Sequence, residues 1–321
     1  MRRYVITRLA QAVGVLWAAY TVTFLVLDFL PGDPVSAMAG AGADTGQVDP
    51  AQLAALRHQY GFDKPVLAQY ADYLGRAVRG DFGDSVSTGR PVTETLADAL
   101  PQTLQLTGAA LLLAVLLGGG LAVLATYTTR RWLRQLLLSL PPLGVSVPTF
   151  WVGLLLVEVF SFRARLFPAF GNDGLKGLVL PALTLAIPTG ALVAQVLAKS
   201  LFTALDQAYV ETARAKGAGR WRIHLRHALR NASLPALTIV GLLAGQLIAG
   251  SVVVETVFSR DGLGRVTAAA VTVQDIPLVQ GVVVFGALIF VTANLIVDLV
   301  YPLLDPRIVV ASARKVKVSP A

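Results

Sequence analysis

Tyr209-Val-Glu-Thr-Ala-Arg-Ala-Lys-Gly217, followed by Asn231-Ala-Ser-Leu-Pro-Ala-Leu237, is a polar stretch enclosed by two apolar runs long enough to cross a membrane. The Glu211-Thr-Ala-Arg-Ala215 core favours helix, and Gly217 supplies the left-handed residue that stops one. A short helix held off the bilayer by flanking spans can dock on a partner and carry that partner's motion into the bundle. It holds no nucleophile with its base, so the expected role is transmission, and no catalytic residue is assigned on this chain.

Composition sets the class. The chain is 55% hydrophobic and 14% charged, with mean hydropathy +0.65. A soluble domain carries about 25% charged residues, so this one belongs in lipid. The absence of cysteine excludes disulfides, thiolate metal sites and Fe–S clusters. The formal charge of +8 is spread among apolar runs, which fits orientation in a membrane rather than a nucleic-acid surface. No cofactor and no metal is expected.

A span needs about 20 apolar residues. Six segments qualify, at Leu9–Leu30, Leu104–Thr126, Leu136–Phe160, Leu178–Ala198, Leu234–Val254 and Leu278–Tyr301. The uncharged stretch Leu9–Leu27 exceeds the core of a signal peptide and reads as a retained span. With the N-terminus inside, seventeen of the 27 Lys and Arg residues fall on the cytoplasmic side, so both termini are expected there. The reading is an all-α membrane protein of six transmembrane helices. Residues 1–30 form the N-terminus and first span, and 31–101 an external region. Residues 102–305 form a transmembrane core with a cytoplasmic loop at 199–233, and 306–321 a cytoplasmic tail. Within the external region, Gly40–Gly46 reads as a loop, Gln52–Tyr60 and Pro65–Val78 as short helices, and Asp81-Phe-Gly-Asp-Ser85 as a turn.

These pieces together resemble one family. Leu30-Pro-Gly-Asp-Pro34, Tyr60-Gly-Phe-Asp-Lys-Pro65, Gly80-Asp-Phe-Gly-Asp-Ser85, Leu166-Phe-Pro168, Leu180-Pro-Ala-Leu-Thr-Leu185, the loop quoted first, Val254-Glu-Thr-Val-Phe258 with Gly262-Leu-Gly264, and Asp305-Pro-Arg307 run nearly end to end. The chain resembles the B-type permease subunits of ABC importers for dipeptides, oligopeptides and nickel, and the Tyr209–Gly217 stretch is similar to their cytoplasmic coupling loop. Three departures stand out: Gln195 replaces an expected Arg, Arg260-Asp261 an expected Trp-Pro, and the basic tail from Val309 runs past the usual end. The resemblance implies the type I importer permease fold and alternating access. It assigns ATPase coupling to Glu211, Thr212, Ala213, Ala215, Lys216 and Gly217, with Arg214, Arg226 and Pro235 in support. The implied partners are two nucleotide-binding ATPase subunits or one fused tandem ATPase, a second homologous permease, a soluble or lipid-anchored substrate-binding protein, and membrane lipids. Nucleic acid is not among them. Solutes carried by such permeases include peptides, nickel chelates, sugars and glutathione-like molecules.

Beyond the loop, Trp221, Leu225, Ala228 and Leu229 share one face of an expected second helix, while Arg222, Arg226 and Arg230 share the other. That pattern suits either docking or an anionic membrane surface. His224 and His227 read as titrating loop residues, since no third metal ligand is near. Charges inside spans are costly and so become pathway candidates. Glu158 and Glu255, with Asp28, fall at outer span ends that water reaches; Gln246 and Asn294 lie deeper. Glu158, Gln246 and Glu255 are the possible substrate pathway, and an interfacial role stands beside that reading. Pro141, Pro142, Pro148, Pro181 and Pro188 are expected to interrupt spans three and four. A secondary transporter or channel not driven by ATP is the alternative; the paired midplane charges it would carry are not visible.

Overall fold

The apolar run expected to span from Leu104 starts its helix twelve residues earlier, because nothing from Val92 onward stops one and Pro101 is carried inside it. The computed structural model describes residues 2–28, 51, 54, 58, 63–172 and 174–304. In chain order its helices are α1 (Arg2–Asp28), α2 (Val66–Ala77), α3 (Val92–Tyr127), α4 (Arg131–Ser146), α5 (Thr149–Leu156), α6 (Gly174–Leu205), α7 (Ala208–Ala215), α8 (Arg220–Arg222), α9 (Leu229–Val257), α10 (Leu263–Thr272) and α11 (Ile276–Leu304). Two π-helical turns are inserted, Val157–Arg163 after α5 and Ile223–Ala228 between α8 and α9. Most of Gln52–Tyr60, together with Leu30–Pro34, Gly40–Gly46, Asp305–Arg307 and the tail, lies outside the described residues, as do the side chains of Asp28 and Asn294.

Four helical stretches are long and apolar enough to cross a bilayer: Leu9–Leu27, Val92–Tyr127, Gly174–Leu205 and Arg220–Val257. The third expected span is not one straight helix. Arg131–Ser146 and Thr149–Arg163 meet at 104°. Proline forces the residue before it out of helical geometry, and Val147 accordingly sits at φ −90°, ψ 130° ahead of Pro148. Pro141 and Pro142 lie inside α4, and Pro181 and Pro188 inside α6. Of the five prolines expected to interrupt spans, Pro148 alone breaks its helix.

The chain divides into two compact units. One comprises Gln105–Phe258 and Thr292–Ala321. Of the four membrane-length stretches α6 is the most enclosed, with two thirds of its apolar window buried (67%). It can be approached closely because glycine faces glycine: a Cβ added at Gly118 of α3 would lie 2.2 Å from the Gly190 carbonyl oxygen of α6. Small residues at a helix crossing are how helices in lipid bring their backbones into contact. The core beside the Tyr209–Gly217 stretch is built the same way, from Ala122, Ala198, Leu201, Ala204, Ala228, Ala232 and Ala236.

The other unit comprises Met1–Leu104 and Ser259–Val291. Its core joins Val92, Leu96 and Ala99 of α3 to Leu263 and Ala270 of α10 and Leu278, Val279 and Val282 of α11. Against α1, α2 sets Tyr70 edge-on to Phe24 at 5.3 Å between ring centroids, with the Thr21 and Tyr70 hydroxyls 2.8 Å apart. At Asp81–Ser85 the Asp81 Oδ1 accepts from the Gly83 N–H at 2.9 Å, but the turn itself falls later than expected, at 86–88, closed by the antiparallel bridge between Asp84 and Pro91. Arg260, standing where Trp was expected, is 2% exposed and donates to Gln102 Oε1 at 3.4 Å.

Candidate functional site

Helix α7 is short because both ends are specified. Gln207 precedes it in extended geometry, and Glu211 lies in its first turn, where a carboxylate complements the helix dipole. At the other end the Gly217 N–H donates to the Arg214 carbonyl (2.9 Å) and the Ala218 N–H to the Ala213 carbonyl (3.0 Å). This is the Schellman pattern, which requires a left-handed residue; Gly217 has φ +80°. Val210 is wholly buried and anchors the helix. Glu211, Thr212, Arg214, Ala215 and Lys216 are exposed and Ala213 half-buried. The exposed side lines an open groove with Tyr209, Thr212, Lys216, Gly217, Arg222 and His227.

From the groove the chain runs into the π-turn, and this is where the expected second helix is corrected. A π-turn widens the helix by about one residue per turn, so the face that points inward changes. Ile223, His224 and Ala228 are buried, whereas Trp221 is 59% exposed. His224, expected as a titrating loop residue, is 2% exposed and lies 2.9 Å from Thr126 Oγ1 through Nε2. The Thr126 hydroxyl donates to the Ala122 carbonyl at 2.8 Å, which leaves His224 Nε2–H to donate to Thr126. Beside it Arg220 donates to the Tyr127 carbonyl and stacks over the Tyr127 ring at 4.5 Å. Tyr127 also meets Trp221 and His224 edge-on at 5.6 and 5.5 Å. The segment after α7 is thus tied to the end of α3 by five side chains, Arg220, Trp221 and His224 on one side and Thr126 and Tyr127 on the other, with α7 projecting beside it.

The exposed helix and its fastening lie within a stretch that a family model matches. Residues 106–310 match the binding-protein-dependent transport system inner membrane component, and residues 1–107 its N-terminal counterpart. The chain belongs to that family. The permease is 36% identical over 308 residues to the glutathione transport system permease protein GsiC of Escherichia coli (strain K12), covering 96% of this chain and 99% of that one. It is 37% identical over 308 residues to GsiC of Salmonella typhimurium (strain LT2), with the same coverage, 96% and 99%. Among solved structures, an inward-facing MetNI methionine ABC transporter matches with TM-score 0.57 at 16% identity, over 65% of this chain and 96% of that one. An amino acid ABC transporter crystallised with histidines matches with TM-score 0.50 at 19% identity, over 67% and 94%. These likenesses show the type I importer permease fold. The protein is therefore an ABC-importer permease of the dipeptide and oligopeptide type, a multi-pass inner-membrane subunit.

The permease places its remaining sequence-predicted residues unevenly. Arg226 is exposed in the π-turn, and Pro235 is exposed inside α9. Of the possible pathway residues, Glu255 is wholly buried, two residues before α9 ends at Val257. Glu158 is about half exposed (52%) and pairs with Arg163 at 2.9 Å. Gln246 is exposed on α9. The three therefore do not share one environment. Sequence reading missed the fastening residues Thr126 and His224, 98 positions apart. It also missed Asp275, which is 1% exposed and accepts from Ser85 Oγ (2.6 Å), Ser87 Oγ (2.9 Å) and the Ser87 N–H (3.1 Å). No motif marks a Thr, a Ser or an Asp as paired across such separations.

Proposed function

We propose that this permease forms half of the translocation pathway of an ATP-driven importer for peptides or peptide-like solutes, with glutathione-sized molecules as the substrate class. The full-length match to glutathione transport permeases supports the solute class. The observation that carries the coupling role is α7 itself: a helix locked by Val210 and Gly217, exposing Glu211, Thr212, Arg214 and Lys216. In this reading both termini are cytoplasmic and the chain crosses six times, the bent α4–α5 pair and α11 each counting as one crossing. A binding protein delivers solute outside. ATP closes two nucleotide-binding subunits, or one tandem ATPase, against α7 here and its counterpart on a second permease. The fastening through Arg220, Tyr127, His224 and Thr126 passes that closure to α3, and the two permeases rock between outward and inward openings.

The test is reconstitution of the permease with its partner subunits and binding protein. Glu211→Lys is expected to leave a membrane-inserted subunit that has lost its ATPase or the stimulation of hydrolysis by loaded binding protein. Normal association and normal stimulation in that variant defeat the coupling assignment. Uptake of glutathione or dipeptide that persists without any ATPase supports a secondary transporter or channel instead.

A further inference from the structure

In the unit formed by Met1–Leu104 and Ser259–Val291, α1, α2, the Asp81–Ser85 segment and the start of α11 enclose a cavity of about 170 Å³. Two buried polar groups line it with their hydrogen-bonding capacity unused: the Tyr20 hydroxyl and the Gln280 Nε2 amide, on side chains 3% and 5% exposed. A buried donor without a partner is costly, so their persistence in one cavity asks for an occupant. The charges in the walls say which kind. Arg76 and Asp81 neutralise each other, with Nε to Oδ2 at 2.9 Å and a second contact from Nη2 to Oδ1 at 3.3 Å. That pairing, with the Gly83 N–H, holds the Asp81 carboxyl below the usual carboxylate range, so neither charge is left for a ligand near neutral pH. Asp84 also lines the cavity and, among the described residues, its carboxylate has no partner. The walls thus carry one unbalanced negative charge beside the rings of Tyr20 and Tyr73, and aromatic faces attract cations.

We propose that this cavity binds the amino-terminal end of a peptide. The ammonium sits between Asp84 and the aromatic rings, and the first carbonyl accepts from Gln280 Nε2–H and the Tyr20 hydroxyl. The size agrees: drug-sized ligands occupy roughly 300–1,000 Å³, whereas this space admits one amino-acid-sized group and leaves the rest of the chain outside. Asp84 is exposed, so its carboxylate meets an arriving ammonium from the solvent side, while Tyr20 and Gln280 lie buried behind it. The topology proposed above puts this end of α1 outside the cell, and the peptide ligand rests on the import reading, so the site would take a peptide terminus on arrival, before the pathway.

The test is equilibrium binding of radiolabelled alanyl-alanine to the full permease assembly in nanodiscs, without binding protein or ATP. Expected are saturable binding to the unaltered protein and at least a tenfold loss in Asp84→Asn and in Tyr20→Phe. N-acetyl-alanyl-alanine should compete at least tenfold more weakly than the free dipeptide, and Asp98→Asn, an exposed acid paired with Arg90 outside the cavity, should bind normally. Unaltered affinity in Asp84→Asn and Tyr20→Phe, or no binding by the unaltered protein, overturns the proposal and leaves the cavity to ordered water. The two failures are distinguishable: ATP-driven peptide uptake with unaffected cavity variants removes this site alone, and dipeptide binding without ATP-driven uptake removes the import reading alone.

Discussion

Two glycines show how differently a single residue can be required. At Gly217 an added Cβ meets nothing within 4 Å, but φ is +80°; the constraint is purely conformational. Left-handed backbone costs a residue with Cβ about 1–2 kcal/mol, and β-branching adds to it. Gly217→Ala should therefore weaken substrate-stimulated ATP hydrolysis moderately and Gly217→Val severely, with thermal stability of the inserted subunit little changed; equal hydrolysis across the series would show that the αL stop does not position α7. Gly118 is the reverse case, with no room for the Cβ. Gly118→Ala should cost about 1–3 kcal/mol as overpacking, read as a lowered midpoint in thermal unfolding of the purified permease. Thr126 tests the fastening itself. Thr126→Val keeps the shape but strands the buried His224 N–H, a loss of about 1–3 kcal/mol, and should reduce coupling more than Ser139→Ala, a change on exposed α4.

Among elements, the Pro148 bend marks where a run of apolar sequence stops being one helix, whereas the two π-turns lie inside the continuous stretches Thr149–Arg163 and Arg220–Val257. Pro148 sets its own bend through Val147, while Pro181 and Pro188 stay inside α6, which is packed on most of its surface. The Gly83–Pro91 segment is held by a different device. Asp275 caps α11 through the Leu278 N–H at 3.2 Å and at the same time accepts from Ser85 and Ser87. Asp275→Ala removes cap and anchor together, so limited digestion with a protease of broad specificity should cut faster between Ser85 and Gly89 in the variant than in the unaltered protein. Unchanged cleavage would mean that the Asp84–Pro91 bridge and the Val92 N–H bond to the Gly83 carbonyl (2.9 Å) suffice to hold the segment.

For the whole molecule, the decisive measurement is sidedness. The chain has no cysteine, so single cysteines report without background. Cysteine placed at Ser87 or Asp63 should react with an impermeant maleimide in intact cells, and cysteine at Ala218 or Ser312 should not. Labelling at Ala218 from outside would invert the topology and remove α7 from any cytosolic ATPase.

The membrane class, the position of the apolar helices, the family and the helix ending at Gly217 were all legible in the sequence, because each rests on local information: residue type, run length, and a glycine where a helix must stop. The long α3 and the bend at Pro148 were misread at their edges, since run length does not say where a helix begins or which of five prolines breaks one. The burial of Glu255 and His224, the pairing of Thr126 with His224, the Asp275 anchor and the cavity around Tyr20 and Gln280 were decided by tertiary structure alone. Each depends on which residues distant in the chain meet, and on π-turns that rotate a face by a fraction of a turn. Neither composition nor periodicity encodes that geometry until the helices have packed.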